Sequence, residues 1–519
     1  MNPRSVPVTL EPQWRAAGSP LRHSWAGHLN IDQFRWLVRA DLQQHLSLAR
    51  AEIGGRHVRA VGMFDDELRV LRPGPESYGR PAPKPRLNWQ VVDAAIDALL
   101  ARGLRPVFTT TFVPSVLASG TTTVFTTQGV TSPPRDYAAW GRLVEAAVRH
   151  QVERHGLTEV RRWYFEVWNE PNLKGWFWDG DQADFFHLWQ FTHRAIKRVD
   201  RQLRVGGPST GRAEWLEEFL SFGRTRRCPP DYLALHIYNN DGAAGALAPF
   251  DSARRSRTAH AAELAVSVIR ERTARARELG FKGEIHWNEW GRSWLPCEPE
   301  RETPLEAVFI VRTLSEISQI ADVFSYWCLS DIYDQVGYGR ETFHGNYGLL
   351  NLQGLRKPAY HAFQLLGRLG RRRLPVSAPR GIDVMATRTA DGWQLLLAVD
   401  PHFDSAARRI RIRVKLPEDR VPGDFRLTLT RLGAHENNVI SRWKRLGSPA
   451  YLTPRQTHRL QLQNTLRAAP AASVRLVRSG SEQYAEFSCE RPGLALLEVT
   501  SRPAPAPSKR RSQRKPRQG

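Results

Sequence analysis

Apolar and β-branched runs of four to eight residues alternate with longer stretches of helical spacing through residue 370. The runs read as strands at 27–31, 57–64, 105–112, 162–169, 204–208, 232–238, 284–288 and 323–329. Between them, Trp89, Val92, Ile96, Leu99 and Leu100 repeat along one face of a helix that Gly103 can end. Leu143, Ala147 and Val148 mark a second helix ending before Gly156, and Phe185, Leu188, Trp189, Thr192 and Ile196 a third. Eight strands, each followed by a helical segment, predict an α/β fold, a (β/α)₈ TIM barrel over residues 21–370. A doubly wound open sheet would usually carry a Gly-rich phosphate turn after its first strand, and this chain has none there.

Beyond residue 371 the pattern changes. Short β-rich runs at 393–399, 409–415, 425–430, 474–477 and 494–499 are separated by Gly, Pro and Asp. Ile410, Ile412 and Val414 alternate with Arg411, Arg413 and Lys415, as a half-buried strand requires. Residues 371–501 are therefore expected to form an antiparallel β-sandwich with a basic outer face. Segment 1–20 can add a strand to it through Val6–Leu10. Residues 502–519 combine a Pro/Ala run with a basic end and are expected to be a disordered tail.

The formal net charge of +23 invites a nucleic-acid reading, but its location weakens that. From Arg380 onward there are 26 Lys and Arg against 12 Asp and Glu, and six of those cations lie in Lys509–Arg517 of the tail. The chain has no C₂H₂ finger, RNP-type aromatic motif or P-loop, so no specific nucleic-acid partner is expected. No apolar stretch reaches the ~18 residues of a membrane span, and the N-terminus lacks a signal-peptide core. These features predict a cytoplasmic protein without a membrane partner, and leave its oligomeric state open. Cys228, Cys297, Cys328 and Cys489 are too scattered for a disulfide framework or zinc site, so buried free thiols are expected.

Barrel enzymes carry their reactive groups at the C-terminal ends of the strands. Those ends hold Glu170 in Trp168-Asn-Glu-Pro171, His236 and Tyr238 in Leu235-His-Ile-Tyr238, and Glu289 in Trp287-Asn-Glu-Trp290. By count these are strands four, six and seven. Two carboxylates on one rim suit glycoside cleavage, in which one expels the leaving oxygen as an acid and the other attacks the anomeric carbon. Trp163, Trp168, Trp176, Trp178, Trp287, Trp290 and Trp294 could stack on sugar faces and desolvate a carboxyl. Taken singly, each feature has a plainer reading: a rim Glu is more often a salt-bridge partner, a Trp or His more often core. Convergence on the right strand numbers is what favours catalysis.

Phe165-Glu-Val-Trp-Asn-Glu-Pro-Asn-Leu173 resembles the acid/base segment of glycoside hydrolase family 39, the β-xylosidases and α-L-iduronidases. So do Ala118-Ser-Gly-Thr-Thr-Thr-Val-Phe125, Ser132–Tyr137, Val205-Gly-Gly-Pro208, Phe324-Ser-Tyr-Trp327, Phe343–Leu349 and the stretch from His435-Glu-Asn-Asn438 to Pro449. The resemblance spans residues 21–450 in order. It implies a retaining mechanism with Glu170 as acid/base, Glu289 as nucleophile and Asn169 on the sugar 2-hydroxyl. It further implies that Tyr238 orients Glu289 and His236 supports the rim. Subsite walls would come from Trp176, Phe177, Trp178, Trp327 and the 331–344 loop with Asp334 and His344. No metal or organic cofactor is expected, because two carboxylates supply the chemistry.

Departures bear on the sugar. The family's second strand commonly ends in His-Gly-x-Phe-His-Asp-Asp, where this chain has Val61-Gly-Met-Phe-Asp-Asp-Glu67. Thr126-Thr127 stands where a Trp pair is common, and Tyr333-Asp-Gln335 where xylosidases tend to show Phe-Glu-Glu. Asn172 leans towards the xylosidase branch. The expectation is an exo-acting β-xylosidase-like hydrolase acting on a carbohydrate substrate. The alternatives are another glycoside, such as an iduronide or exopolysaccharide linkage, or a carbohydrate-binding protein without turnover.

Overall fold

Eight strands form one parallel sheet, hydrogen-bonded in chain order: β1 (His28–Gln33), β2 (His57–Val61), β3 (Arg105–Thr109), β4 (Tyr164–Glu166), β5 (Arg204–Thr210), β6 (Tyr232–Tyr238), β7 (Glu284–Gly291) and β8 (Val323–Tyr326). The computed structural model describes residues 7–73, 85–241, 263–335, 337–405, 407–417 and 425–501. The ends of the sheet meet. Asn30 on β1 donates to the Asn288 carbonyl on β7 at 2.8 Å and the Ser325 carbonyl on β8 at 3.2 Å. The Leu329 N–H closes onto the Asn30 carbonyl at 2.8 Å.

Around this barrel run α1 (Ala40–Glu52), α2 (Gln90–Leu100), α3 (Tyr137–His155), α4 (Gln182–Val199), α5 (Leu216–Thr225), α6 (Glu263–Glu278), α7 (Pro304–Ile317) and α8 (Pro358–Gly367). Their apolar stripes lie against the strands, as Val92, Ile96 and Leu99 of α2 do. Local signals fix the ends. Asp136 accepts the Ala138 N–H at the start of α3, and Asp181 and Asp184 form a capping box on α4. Inside the barrel, alternation places His57, Arg59 and Val61 of β2 in successive layers. The lowest layer is ring-packed: His28, His57, Tyr164 and His286 lie 4.8–5.1 Å apart. Arg59 is in the middle layer, and Val61 at the open end.

The later strands are β9 (Arg372–Leu374), β10 (Ile382–Arg388), β11 (Gly392–Val399), β12 (Arg409–Lys415), β13 (Phe425–Leu432), β14 (Val474–Ser479), β15 (Glu482–Glu490) and β16 (Gly493–Ser501). One sheet runs β13-β16-β11-β10-β9 and ends on Ser19–Pro20; the other runs β14-β15-β12 and ends on Val8–Leu10, which pairs parallel with β12. Ile410, Ile412 and Val414 face Leu395, Leu397 and Val399 in the core between them. The outer face of the larger sheet, with Leu396, Ala398 and Leu496, merges into the barrel core, and Arg312 of α7 reaches Asp400 at 2.6 Å. Two helices, α9 (Val439–Arg445) and α10 (Pro454–Gln463), interrupt the strand run.

The basic outer face expected for β12 is instead paired. Arg409, Arg413 and Lys415 meet Glu490, Glu486 and Glu482 of the neighbouring β15 at 3.0, 3.0 and 2.7 Å. All four cysteines are free; three are buried, but Cys297 is exposed. Among the described residues no helix is long and apolar enough to cross a membrane. Residues 1–6 and the basic tail 502–519 lie outside the described residues.

Candidate active site

Just past β4 the backbone takes two left-handed steps, at Trp168 (φ 68°) and Glu170 (φ 46°). Non-glycine residues rarely adopt this conformation, and such strain gathers where a side chain must be aimed. The Glu170 N–H donates to the Ser209 carbonyl beyond the middle of β5 at 2.8 Å. The carboxylate then lies over Gly211, where an added Cβ would sit 3.2 Å from Oε1. Asn172 clamps that glycine from both sides, accepting its N–H and donating to its carbonyl, each at 2.9 Å. The opposite wall is β7, whose Glu289 stands in register with His236 of β6.

Glu170, His236 and Glu289 present polar atoms within 4.8 Å of one another, and all three are buried. That spacing suits carboxyl groups about 5–5.5 Å apart, the separation of a retaining pair. Tyr238 Oη donates to Glu289 Oε1 at 2.8 Å, and Arg59 Nη1 to Glu289 Oε2 at 3.0 Å. Arg59 Nη2 also points at His236 Nε2, 3.4 Å away. That nitrogen is then the acceptor, so Nδ1 carries the ring proton and donates to Glu170 Oε1 at 3.1 Å. Burial holds His236 neutral, with its pKa lowered to about 4.

Burial raises the pKa of both carboxyls, that of Glu170 to about 7. The forces opposing the rise act most directly on Glu289, which has the Arg59 charge and the Tyr238 hydroxyl in direct contact. Near neutral pH a single proton on the pair therefore belongs on Glu170. This leaves one acid and one ionised carboxylate facing the same space.

Arg59 and Glu166 were not anticipated from the sequence. Arg59 Nε donates to both Glu166 oxygens, at 2.9 and 3.1 Å, and Nη2 to Asn169 Oδ1 at 2.6 Å. Asn288 Nδ2 covers the remaining Glu166 face at 2.7 Å. Both Arg59 and Glu166 are fully buried. With its oxygen taken by Arg59, Asn169 keeps its amide nitrogen for donation. The available signal was a charge in an inward strand position, in His57-Val-Arg-Ala-Val61 and Tyr164-Phe-Glu166.

Several expected wall residues sit elsewhere. Trp163, Trp168, Trp178, Trp287 and Trp290 are fully buried and so cannot stack on a sugar. Trp178 packs edge-on against Trp168 with ring centroids 4.8 Å apart, and its Nε1 donates to the Asp181 carbonyl. These rings desolvate from behind. Trp176 is half exposed, and Trp327 joins Tyr238, Tyr333 and Tyr347 in an aromatic wall. Asp334 is a strut: Arg35 Nη2 donates to both its oxygens, at 2.9 and 2.8 Å, and Thr126 Oγ1 to its carbonyl at 2.7 Å. His344 Nδ1 is held by the Glu341 carbonyl at 3.2 Å. Beside buried Val61, Gln33 ends β1 in register with it, and Gln33 Nε2 reaches Thr127 Oγ1 at 3.4 Å.

The three clustered groups would also fit a cation by spacing alone. The Arg59 guanidinium, against Glu289 and His236, places a fixed positive charge there that opposes one.

The model of glycosyl hydrolases family 39 matches residues 8–476. The chain belongs to that family. It is a retaining glycoside hydrolase acting on carbohydrate, with the TIM barrel and accessory β-sheets described above. This family 39 chain is 33% identical over 441 residues to a beta-xylosidase of Caldicellulosiruptor saccharolyticus, covering 84% of the chain and 87% of that protein. It is 34% identical over 385 residues to a beta-xylosidase of Geobacillus stearothermophilus, with 72% and 75% covered. A monomeric beta-xylosidase of Caulobacter crescentus superposes with a TM-score of 0.80 at 28% identity, over 95% of this chain and 99% of that one.

Proposed function

We propose that the chain is an exo-acting β-xylosidase in which Glu170 is the acid/base and Glu289 the nucleophile. The observation that carries the assignment is the asymmetry of the pair: Glu289 is held by Arg59 at 3.0 Å and Tyr238 at 2.8 Å, whereas Glu170 is raised to about 7. In the first step Glu289 Oε attacks the anomeric carbon while Glu170 gives its proton to the departing glycosidic oxygen. Two groups on one sugar carbon exchange, and a glycosyl ester forms. In the second step Glu170, now ionised, takes a proton from water, whose oxygen displaces Glu289 with a second inversion. Asn169 donates to the 2-hydroxyl, and its Arg59 contact fixes the direction of that donation.

Similarity to two beta-xylosidases at 33 and 34% identity supports the xyloside. Hydrolysis of an aryl β-xyloside with retained configuration, followed by proton NMR of the first-formed anomer, tests the reading. Glu289→Ala should abolish turnover, and Glu170→Ala should slow cleavage of poor leaving groups far more than good ones, with added azide restoring turnover as it displaces Glu289 to form a glycosyl azide. No turnover of any β-xyloside alongside cleavage of another aryl glycoside would reject the sugar and keep the mechanism.

A further inference from the structure

Arg409, Arg413 and Lys415 of β12 are answered by acids of β15. A later segment has no acids of its own. Residues 437–473 contain six Lys and Arg and no Asp or Glu. They include α9 and α10, which pack on each other through Val439, Ile440, Trp443 and Leu460. Lys444, Arg445, Arg455, Arg459 and Arg467 are exposed, and Arg442 is half-buried. Among the described residues none of the six makes an ion pair. Burial and the charges of Arg445 and Arg467 hold the Arg442 guanidinium below its ordinary range, the mark of like charges crowded without an answer. Tyr451, between the two helices, is 80% exposed.

The platform is joined to the mouth of the catalytic barrel. The loop that follows β8 leaves the same barrel end that carries Glu170 and Glu289, and it supplies Tyr333 to the aromatic wall beside Tyr238. Further along that loop, Thr342 Oγ1 donates to the Ala450 carbonyl at 3.0 Å, and Phe343 packs edge-on against Trp443, ring centroids 5.3 Å apart. Gln461 Nε2 donates to the Gln353 carbonyl at 2.9 Å.

We propose that this two-helix platform is a docking surface for an acidic polysaccharide, one carrying carboxylates along its chain, which it holds beside the mouth of the site. Five of the six cations are Arg, whose planar fork matches a carboxylate bidentately. The exposed Tyr451 ring offers an apolar face for a sugar between charges. A glycan is favoured over nucleic acid because the platform is built onto the wall of a glycosidase site. The surface would raise the local concentration of an acidic glycan whichever neutral linkage is cleaved.

The test uses the full chain in affinity gel electrophoresis with polygalacturonate, neutral xylan or duplex DNA in the gel. Polygalacturonate is expected to retard the protein at ~20 mM salt and much less at ~300 mM, where charge is screened within a few ångströms. The triple variant Arg455→Glu, Arg459→Glu, Arg467→Glu should lose affinity roughly tenfold, with its thermal midpoint checked beside the parent. Arg459→Gln, a single neutralisation on the surface, should move affinity the same way by less. Neutralising the tail at Lys509, Arg510, Arg511, Arg514, Lys515 and Arg517 with Gln should leave most of the affinity intact. Unchanged retardation of the patch variants, or loss of binding in the tail variant alone, overturns the proposal. Tighter retardation by duplex DNA than by polygalacturonate overturns the choice of partner.

Discussion

Arg59 places one guanidinium between two carboxylates of opposite fate, Glu166 at 2.8 Å and Glu289 at 3.0 Å, with all three side chains buried. Glu166 is fully enclosed and balances the charge; Glu289 is slightly exposed and is the proposed nucleophile. Removing the cation as Arg59→Leu should raise the Glu289 pKa and leave the nucleophile protonated over more of the working range. The expected loss in kcat/KM is roughly 10²–10³-fold, the scale of deleting one preorganised electrostatic contact. The acidic limb of the pH profile should also move upward, while Arg59→Lys should recover part of both effects. A merely structural Arg59 would lower the thermal midpoint and leave the limb where it was.

Glu170, as the proposed acid/base, would set the other limb. With its pKa at about 7 in the folded chain against an ordinary 4.5, it can give up a proton as an acid only below that value. Cleavage of a substrate with a poor leaving group should therefore fall as pH rises through about 7. The same shift has a stability consequence. Between pH 4.5 and about 7 the folded chain holds a proton that the unfolded chain releases, so this group's contribution falls as pH rises through that window. Glu170→Gln should then raise the thermal midpoint at pH 8 and change it little at pH 4. An equal shift at both pH values would detach the effect from titration of Glu170.

The barrel was legible because eight short apolar runs alternate with longer stretches of helical spacing, and β12 because its inward and outward positions differ in apolarity. Strand β15 was not: its inward face carries only Ala485, Phe487 and Cys489, and Glu482, Glu486 and Glu490 on its other face have their reason across the sheet in Lys415, Arg413 and Arg409. Glu170 and Glu289 could be singled out because a carboxylate at a strand end has a chemical meaning there. Arg59 lay one layer deeper, where a lone charge in an apolar strand has no meaning until its three partners arrive from β4, the loop after β4, and β7. The tryptophans misled for the converse reason. Their number is visible in a sequence, but the side of the backbone on which Trp168 and Trp178 lie depends on the left-handed steps at Trp168 and Glu170.

Asn172 shows how the aim of Glu170 is maintained. Its amide both accepts from and donates to Gly211, and its nitrogen also reaches Glu214 Oε2 at 3.0 Å. Asn172→Asp would keep the accepted bond, lose both donated ones and set two carboxylates together. Loss of a donated bond within such a clamp costs about 1–3 kcal/mol. If the cost falls on the aim of Glu170, kcat should fall for poor leaving groups and stay nearly unchanged for activated ones. Gly211→Ala, with its Cβ 3.2 Å from Glu170 Oε1, should show the same leaving-group dependence. A uniform loss across leaving groups would mean that the clamp serves the fold alone.

Gln33 offers the sharpest test of how this chain reads its sugar. It ends β1 opposite Val61, where the family commonly has histidine, so the donor lost from β2 has a neighbour able to replace it. Nε2 has only the 3.4 Å contact with Thr127 Oγ1, and Oε1 is buried without a partner among the described residues. Turning the amide over does not help, since one Thr127 hydroxyl can satisfy only one end. A buried polar atom left in this state costs free energy unless something arrives to meet it, and a sugar hydroxyl is suited to do so. Under that reading Gln33→Leu should raise KM for a β-xyloside and lower kcat/KM roughly 5- to 150-fold, the equivalent of about 1–3 kcal/mol. Val61→His in the same background should recover part of the loss. If Gln33 only fills space, the leucine variant removes an unsatisfied atom at no functional cost, so KM stays fixed and the thermal midpoint rises. The two outcomes move different observables, and a single variant decides between them.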